Sequence, residues 1–255
     1  MMIHTTFKNF IFRKRAIFLP VGIAFLMMVI SAGSVFSQDM EEPVVADATL
    51  RLGAQIGFTQ GTFAVNNQDF TDPKVGILIG AFAHYNPDFL PSWLTLDGEI
   101  NYQQQGAANI EVPTGDPNII QTKNIIQHNI DIPVMGILTP PGYLNESLIP
   151  YIGAGVAWGY NMKTYQQTNT RSTVDGGTSF RVESYTDKSR QYVQNDFAAV
   201  LAAGFLVKTE TWMYTVEARY RLGLTNLNGI SANPSNAFTG NVFTLKVGVG
   251  FLTLF

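Results

Sequence analysis

Eight charged residues stand at positions where an alternating pattern turns its polar side: Arg51, Asp97, Glu99, Asp131, Glu217, Arg219, Arg221 and Lys246. Four acids and four bases that meet in one narrow space could supply a catalytic carboxylate pair, a proton or ion path, or a network that neutralises itself. The network is the expectation, because an unpaired buried charge is costly and the interior of a small barrel is filled by side chains. Hydrolysis by a nucleophile would need a histidine between that nucleophile and an orienting acid. Beyond the first residues only His84 and His128 are available. His128 shares a face with Ile126, Ile130 and Ile132, which places it near an interface or a bulge, and His84 is expected to point inward near the end of its strand that leads into Asn86-Pro87-Asp88. Two histidines on separate strands have no metal-ligand spacing, and the chain has no cysteine. No catalytic residue, metal or cofactor is therefore assigned. The run Gly153-Ala154-Gly155-Val156-Ala157-Trp158-Gly159 lacks the spacing and the following helix of a dinucleotide loop. Its alternate glycines are expected to let an inner wall accept bulky neighbours.

The elements that would position these residues alternate with a period of two from residue 48 onward. Leu50, Leu52, Ala54, Ile56 and Phe58 share one face, and Arg51, Gly53, Gln55 and Gly57 the other. Leu94, Leu96, Ile100 and Tyr102 oppose Asp97, Glu99, Asn101 and Gln103. Trp212, Tyr214, Val216, Ala218 and Tyr220 oppose Thr215, Glu217, Arg219 and Arg221, and Phe243, Leu245, Val247, Val249 and Phe251 oppose Thr244, Lys246, Gly248 and Gly250. Weaker runs at 74 to 85, 122 to 137, 148 to 161 and 194 to 208 bring the expected number of strands to eight. The connections alternate long and short, at about 13, 7, 15, 9, 32, 3 and 18 residues. Short ones carry turn residues such as Asn86-Pro87-Asp88 and Pro140-Pro141-Gly142. In an outer-membrane barrel the short turns are periplasmic and the long loops external.

Residues 1–37 read as a cleaved signal peptide: Lys8, Arg13, Lys14 and Arg15 precede an apolar run from Ala16 to Ile30 and the small-residue site Val35-Phe36-Ser37. Residues 38–47 read as an acidic periplasmic leader, and 48–255 as one barrel domain. Cleavage would remove four of the 16 basic residues and none of the 19 acidic ones, leaving a net charge near −7 that argues against nucleic acid as a partner.

Alternation also describes soluble barrels and sandwiches, whose apolar faces turn inward. Three features favour lipid outside instead. The apolar faces carry the aromatics Phe58, Tyr85, Tyr102, Trp158, Tyr160, Trp212 and Tyr220, suited to girdles at the two bilayer interfaces. The opposite faces mix Gly, Ala, Thr and Gln with few charges. The chain ends on Phe255, in phase with the apolar face, which resembles the signal read by outer-membrane assembly machinery. The expected fold is an all-β, eight-stranded, antiparallel up-and-down transmembrane β-barrel.

Several phrases resemble the PorT-like outer-membrane β-barrel proteins of Bacteroidetes. They are Leu52-Gly53-Ala54-Gln55-Ile56-Gly57-Phe58, the run Leu96 to Gly106, Ile130-Asp131-Ile132-Pro133-Val134, Pro150-Tyr151-Ile152-Gly153-Ala154-Gly155, and the run Val216 to Asn226. The resemblance implies the architecture and an outer-membrane address, and weakly a link to secretion, from which the family takes its name. The leading expectation is a non-enzymatic structural or interaction protein, with a small pore or ligand-binding barrel as alternative and an outer-membrane hydrolase as a remote one. Expected partners are outer-membrane lipid, the assembly machinery during biogenesis and envelope proteins. The fifth connection, roughly Met162 to Val193, offers Tyr165, Phe180, Tyr185 and Tyr192 as contact residues or else extends the strands above the bilayer.

Overall fold

The computed structural model describes residues 49–65, 68–69, 71–112, 114–116, 118–144, 147–174, 178–209, 212–229 and 238–254. The expected signal peptide, the acidic leader and Phe255 lie outside the described residues. Eight long strands form the wall: β1 (Thr49–Val65), β3 (Asp72–Asn86), β4 (Leu94–Val112), β5 (Ile119–Leu138), β6 (Leu148–Val174), β8 (Asn195–Lys208), β9 (Trp212–Gly223) and β10 (Thr239–Leu254). Two shorter strands, β2 (Gln68–Asp69) and β7 (Thr178–Asp187), pair only with β1 and β6. Each long strand pairs antiparallel with its neighbour, and β10 returns to β1 from Thr49↔Leu254 to Ala64↔Thr239, which closes the ring. The fold is the expected up-and-down barrel.

Alternation decides the two faces. Along β9, Met213, Thr215, Glu217, Arg219 and Arg221 are buried while Trp212, Tyr214, Val216 and Tyr220 are exposed. In β3, whose residues are apolar on both faces, Leu78 and Phe82 turn inward and Val75, Ile77 and Ile79 outward. The exposed face is thus the apolar one, the inverse of a water-soluble barrel, and it begins and ends in aromatics such as Phe58, Trp158, Tyr160 and Trp212.

Strand lengths differ around the ring. A tilted crossing needs about 9–11 residues, which matches the 12 of β9. The 19 residues of β4, 20 of β5 and 27 of β6 exceed it. The surplus rises at the end opposite the chain termini, where β6 runs on to Val174 and returns as β7, its partner from Tyr165↔Asp187 to Val174↔Thr178. The fifth connection is therefore mostly ladder. With the upper part of β5 it forms a blade standing above the rest of the wall.

Buried apolar residues gather at three levels. Phe82, Ile137, Ile149, Tyr151, Leu206 and Met213 make a floor near the termini. Met135, Ala157, Ala198, Val200 and Ala202 line one side. Phe63, Ala107, Ile125 and Leu227 make a cap at the loop end, with Ile110, Tyr192 and Phe238 packed against it. The floor needs Gly53, because a Cβ there would lie 2.3 Å from Phe82 Cζ.

Candidate functional site: the charged interior

Between floor and cap lies a polar layer centred on Glu99. Register brings its members together: Lys246 sits directly across from Glu217, and His84 from Asp97. Arg219 reaches across the lumen from β9 and grips Glu99 with two N–H groups, Nη1 to Oε2 and Nη2 to Oε1, both at 2.7 Å. Its Nε donates to Glu217 Oε1 at 2.7 Å. Gln55 Nε2 and Asn101 Nδ2 also donate to Glu99 Oε2, at 2.9 and 2.8 Å. Lys246 Nζ donates to Glu99 Oε1 and, at 2.8 Å, to Gln55 Oε1. The Tyr151 hydroxyl rises from the floor and donates to Glu217 Oε2 at 2.8 Å. His84 Nε2 lies 3.0 Å from Asp97 Oδ1, with Arg219 3.9 Å from the other oxygen.

A second group sits on the row Asp131, Gly159 and Asp196, which are direct partners across β5, β6 and β8. Arg221 enters from β9, with Nε 3.2 Å from Asp131 Oδ1 and Nη1 2.8 Å from Asp196 Oδ2. Gly159 makes the space: a Cβ there would come within 3.0 Å of Arg221 Nη2 and 3.4 Å of Asp131 Oδ1. Gln103, Gln105 and Gln127 link to one another at 3.2 Å. The cap then closes over the lumen, with the Phe63 and Phe238 rings 4.9 Å apart and Tyr192 edge-on to Phe238. Burial in this cap pushes the Tyr192 hydroxyl up to about 12.

Seven of the eight charges expected inside thus fall into two groups. Arg51 differs. It is only partly buried near the chain termini, and none of the ion pairs among the described residues includes it. At its height on β1 the inner layer is the apolar floor. Asp196 was missed because its inner companions on β8, Ala198, Val200 and Ala202, are apolar, whereas Asp131 follows Gln127 and Asn129 on the inner side of β5. His84, Gln55, Asn101 and Tyr151 also join the network.

The arrangement holds charge in place. Glu99 accepts from four side chains, so its lone pairs are occupied, and the guanidinium of Arg219 is spread over two glutamates. Neither His84 nor His128 is hydrogen-bonded to a serine among the described residues: His84 meets Asp97 and the Phe82 ring, and His128 the Tyr102 hydroxyl. Among the described residues no three of His, Asp and Glu gather as metal ligands.

The four aromatics of the fifth connection separate. Tyr165 and Tyr185 lie on one face of the blade, since Gln167 pairs with Tyr185 and Tyr165 with Asp187. Tyr192 turns into the cap. Phe180 pairs with Ser172 in the ladder, and its side chain lies outside the described residues.

A family described as "Outer membrane protein beta-barrel domain" matches residues 36–229. No curated relative matches the sequence. Among solved structures, the chain is similar to the outer membrane protein OprG from Pseudomonas aeruginosa at 14% identity and a TM-score of 0.42, covering 85% of this chain and 100% of that one. It is also similar to Ail, the attachment invasion locus protein of Yersinia pestis, in complex with the heparin analogue sucrose octasulfate, at 11% identity, TM-score 0.38, and 82% and 100% coverage. Acinetobacter baumannii CarO follows at 12% identity, TM-score 0.37, and 76% and 96% coverage.

Proposed function

Since the chain belongs to the outer membrane protein β-barrel domain family, we propose that it is a sealed, non-enzymatic barrel of the outer membrane whose work is done by its surface. The observation that carries this reading is a lumen stoppered at three levels: the apolar floor, the Glu99–Arg219–Lys246 layer and the aromatic cap. A conducting path would have to break all three. Short connections at the terminus end and the tall blade at the other support an orientation with the termini in the periplasm and the blade outside. Export by a cleaved signal peptide belongs to the same reading.

Planar-bilayer recording tests the seal. The expected result is no reproducible conductance at several voltages, and steady unitary steps would overturn it. The finer part of the proposal is an accessory role in protein secretion, supported by the PorT-like phrases and by a structure that offers outer surface in place of a pore. Gentle solubilisation and affinity purification from outer membrane should recover defined envelope partners. A protein always recovered alone would remove the accessory role.

A further inference from the structure

The outward face of the blade carries a belt of hydrogen-bonded side chains across five strands. Asn109 Nδ2 donates to Asp72 Oδ2 at 3.1 Å, and Asn124 Oδ1 accepts from the Asn109 backbone N–H at 2.9 Å. Asn124 Nδ2 donates to Gln167 Oε1 at 3.1 Å, Gln167 Nε2 donates to Glu183 Oε1, and the Tyr185 hydroxyl donates to the same oxygen at 2.8 Å. The chain thus runs from β3 to β7. Asn109 sits in a bulge with φ of +52°, which turns its backbone N–H toward Asn124.

This face continues the lipid-facing wall. On β5, Val134, Ile132, Ile130, His128, Ile126 and Asn124 follow one another in phase. On β6 a bulge opposite His128 exposes both Met162 and Lys163, so the apolar series Val156, Trp158, Tyr160, Met162 ends abruptly in a cation. Lys163 lies 5.0 Å above the Tyr165 ring and 3.9 Å from Asp187. The acyl boundary is therefore at Met162, beside Tyr102 and His128, whose hydroxyl and Nδ1 are 2.6 Å apart.

Height decides what can touch the belt. Gln167 stands five residues beyond Met162, about 16 Å along the strand and about 12 Å vertically at the usual tilt. A phospholipid headgroup layer is only about 5–8 Å thick. A phospholipid packed against Trp158 and Tyr160 ends below the belt, whereas a lipid with several sugars reaches it. The belt's chemistry suits sugars: amides and a carboxylate alternate donors with acceptors as vicinal hydroxyls do, and Tyr185, 64% exposed, is open to stacking on sugar C–H faces. Mutual hydrogen bonding fixes these side chains beforehand, which lowers the ordering cost of binding.

We infer that the belt Asn124–Gln167–Glu183–Tyr185 binds the saccharide headgroup of an outer-leaflet glycolipid whose acyl chains lie on the wall beneath. The inference rests on the proposed orientation with the blade outside. The test uses the full barrel in nanodiscs of phosphatidylethanolamine and phosphatidylglycerol, with or without rough-type lipopolysaccharide, read by native mass spectrometry and by hydrogen exchange of β6 and β7. Glycolipid should be retained and should slow exchange in the blade, and phospholipid alone should do neither. Q167A with E183A should weaken retention at least roughly tenfold. Thr168→Ala, on the opposite face, should bind as the parent does. Equal retention by the double variant, or equal affinity for the delipidated core oligosaccharide, overturns the inference. Ser184→Cys labelling of intact cells with an impermeant maleimide examines the premise separately, since absence of label sinks the orientation and leaves the sugar chemistry to be judged in nanodiscs.

Discussion

Gln55 and Gln167 carry the same amide, each bonded to a glutamate, and they live by different rules. Gln55 is 5% exposed and serves Glu99 alongside Arg219 and Lys246, where a lost partner strands a charge away from water. Gln167 serves Glu183 on an exposed strand, where water replaces any partner removed. The comparison teaches that similar hydrogen-bond chains have opposite jobs in this molecule. Those in the lumen should be needed for the fold, and those on the blade should leave stability nearly untouched.

The largest effect should come from Arg219→Ala, which leaves Glu99 and Glu217 to share Lys246 as their cation. A cost of about 3–5 kcal/mol is expected, read as a lowered urea midpoint and loss of the heat-modifiable band on a detergent gel. A loss under about 1 kcal/mol would erase the distinction between the two regions. Next comes Leu227→Ala in the cap, with an expected cost of about 2–3 kcal/mol from lost burial and the cavity left behind. The ion layer beneath should still prevent conductance in this variant, and a pore appearing there would show the cap to be the sole seal.

The cap should also respond to alkali. The Tyr192 hydroxyl is shifted upward, from an ordinary value near 10 to about 12, by burial. Its contribution to stability is therefore complete below about pH 10 and fades as pH rises toward 12. Difference absorbance between the parent and Tyr192→Phe should show one phenol ionising late, and an ordinary midpoint would place Tyr192 in water. The smallest effect belongs to the blade: Gln167→Ala should change the unfolding midpoint by no more than about 0.5 kcal/mol. A larger loss would make the blade part of the structural core.

The period of two made the barrel and its two faces legible, because a strand buried on one side and lipid-facing on the other must sort its residues by polarity. Face alone does not give height, so Arg51 could not be distinguished from Arg219 in the sequence. The upper part of β6 was legible only as a long connection. There Thr, Gln and Asn occupy both faces, from Gln166 to Ser172, and water on both sides removes the contrast that reveals a strand. The bulge that exposes Met162 and Lys163 together resets the phase. Asp196 lay within the run at 194 to 208, but β8 is apolar on both sides beyond it, so alternation there did not mark an inward charge.

The ion layer also bears on how the barrel can form in time. Glu99 and Arg219 are 120 positions apart, Glu99 and Lys246 147, and Gln55 and Lys246 191. In a growing sheet Glu99 is still without its cations, because the β9–β10 hairpin brings Arg219 and Lys246 only to Glu217. Both reach Glu99 only when β10 meets β1. Closure is the last and most entropically demanding contact, and here it coincides with neutralising the interior. A ring closed one residue out of register would turn Lys246 toward lipid and leave Glu99 without it. The same residues that plug the finished barrel thereby act as a check on its seam.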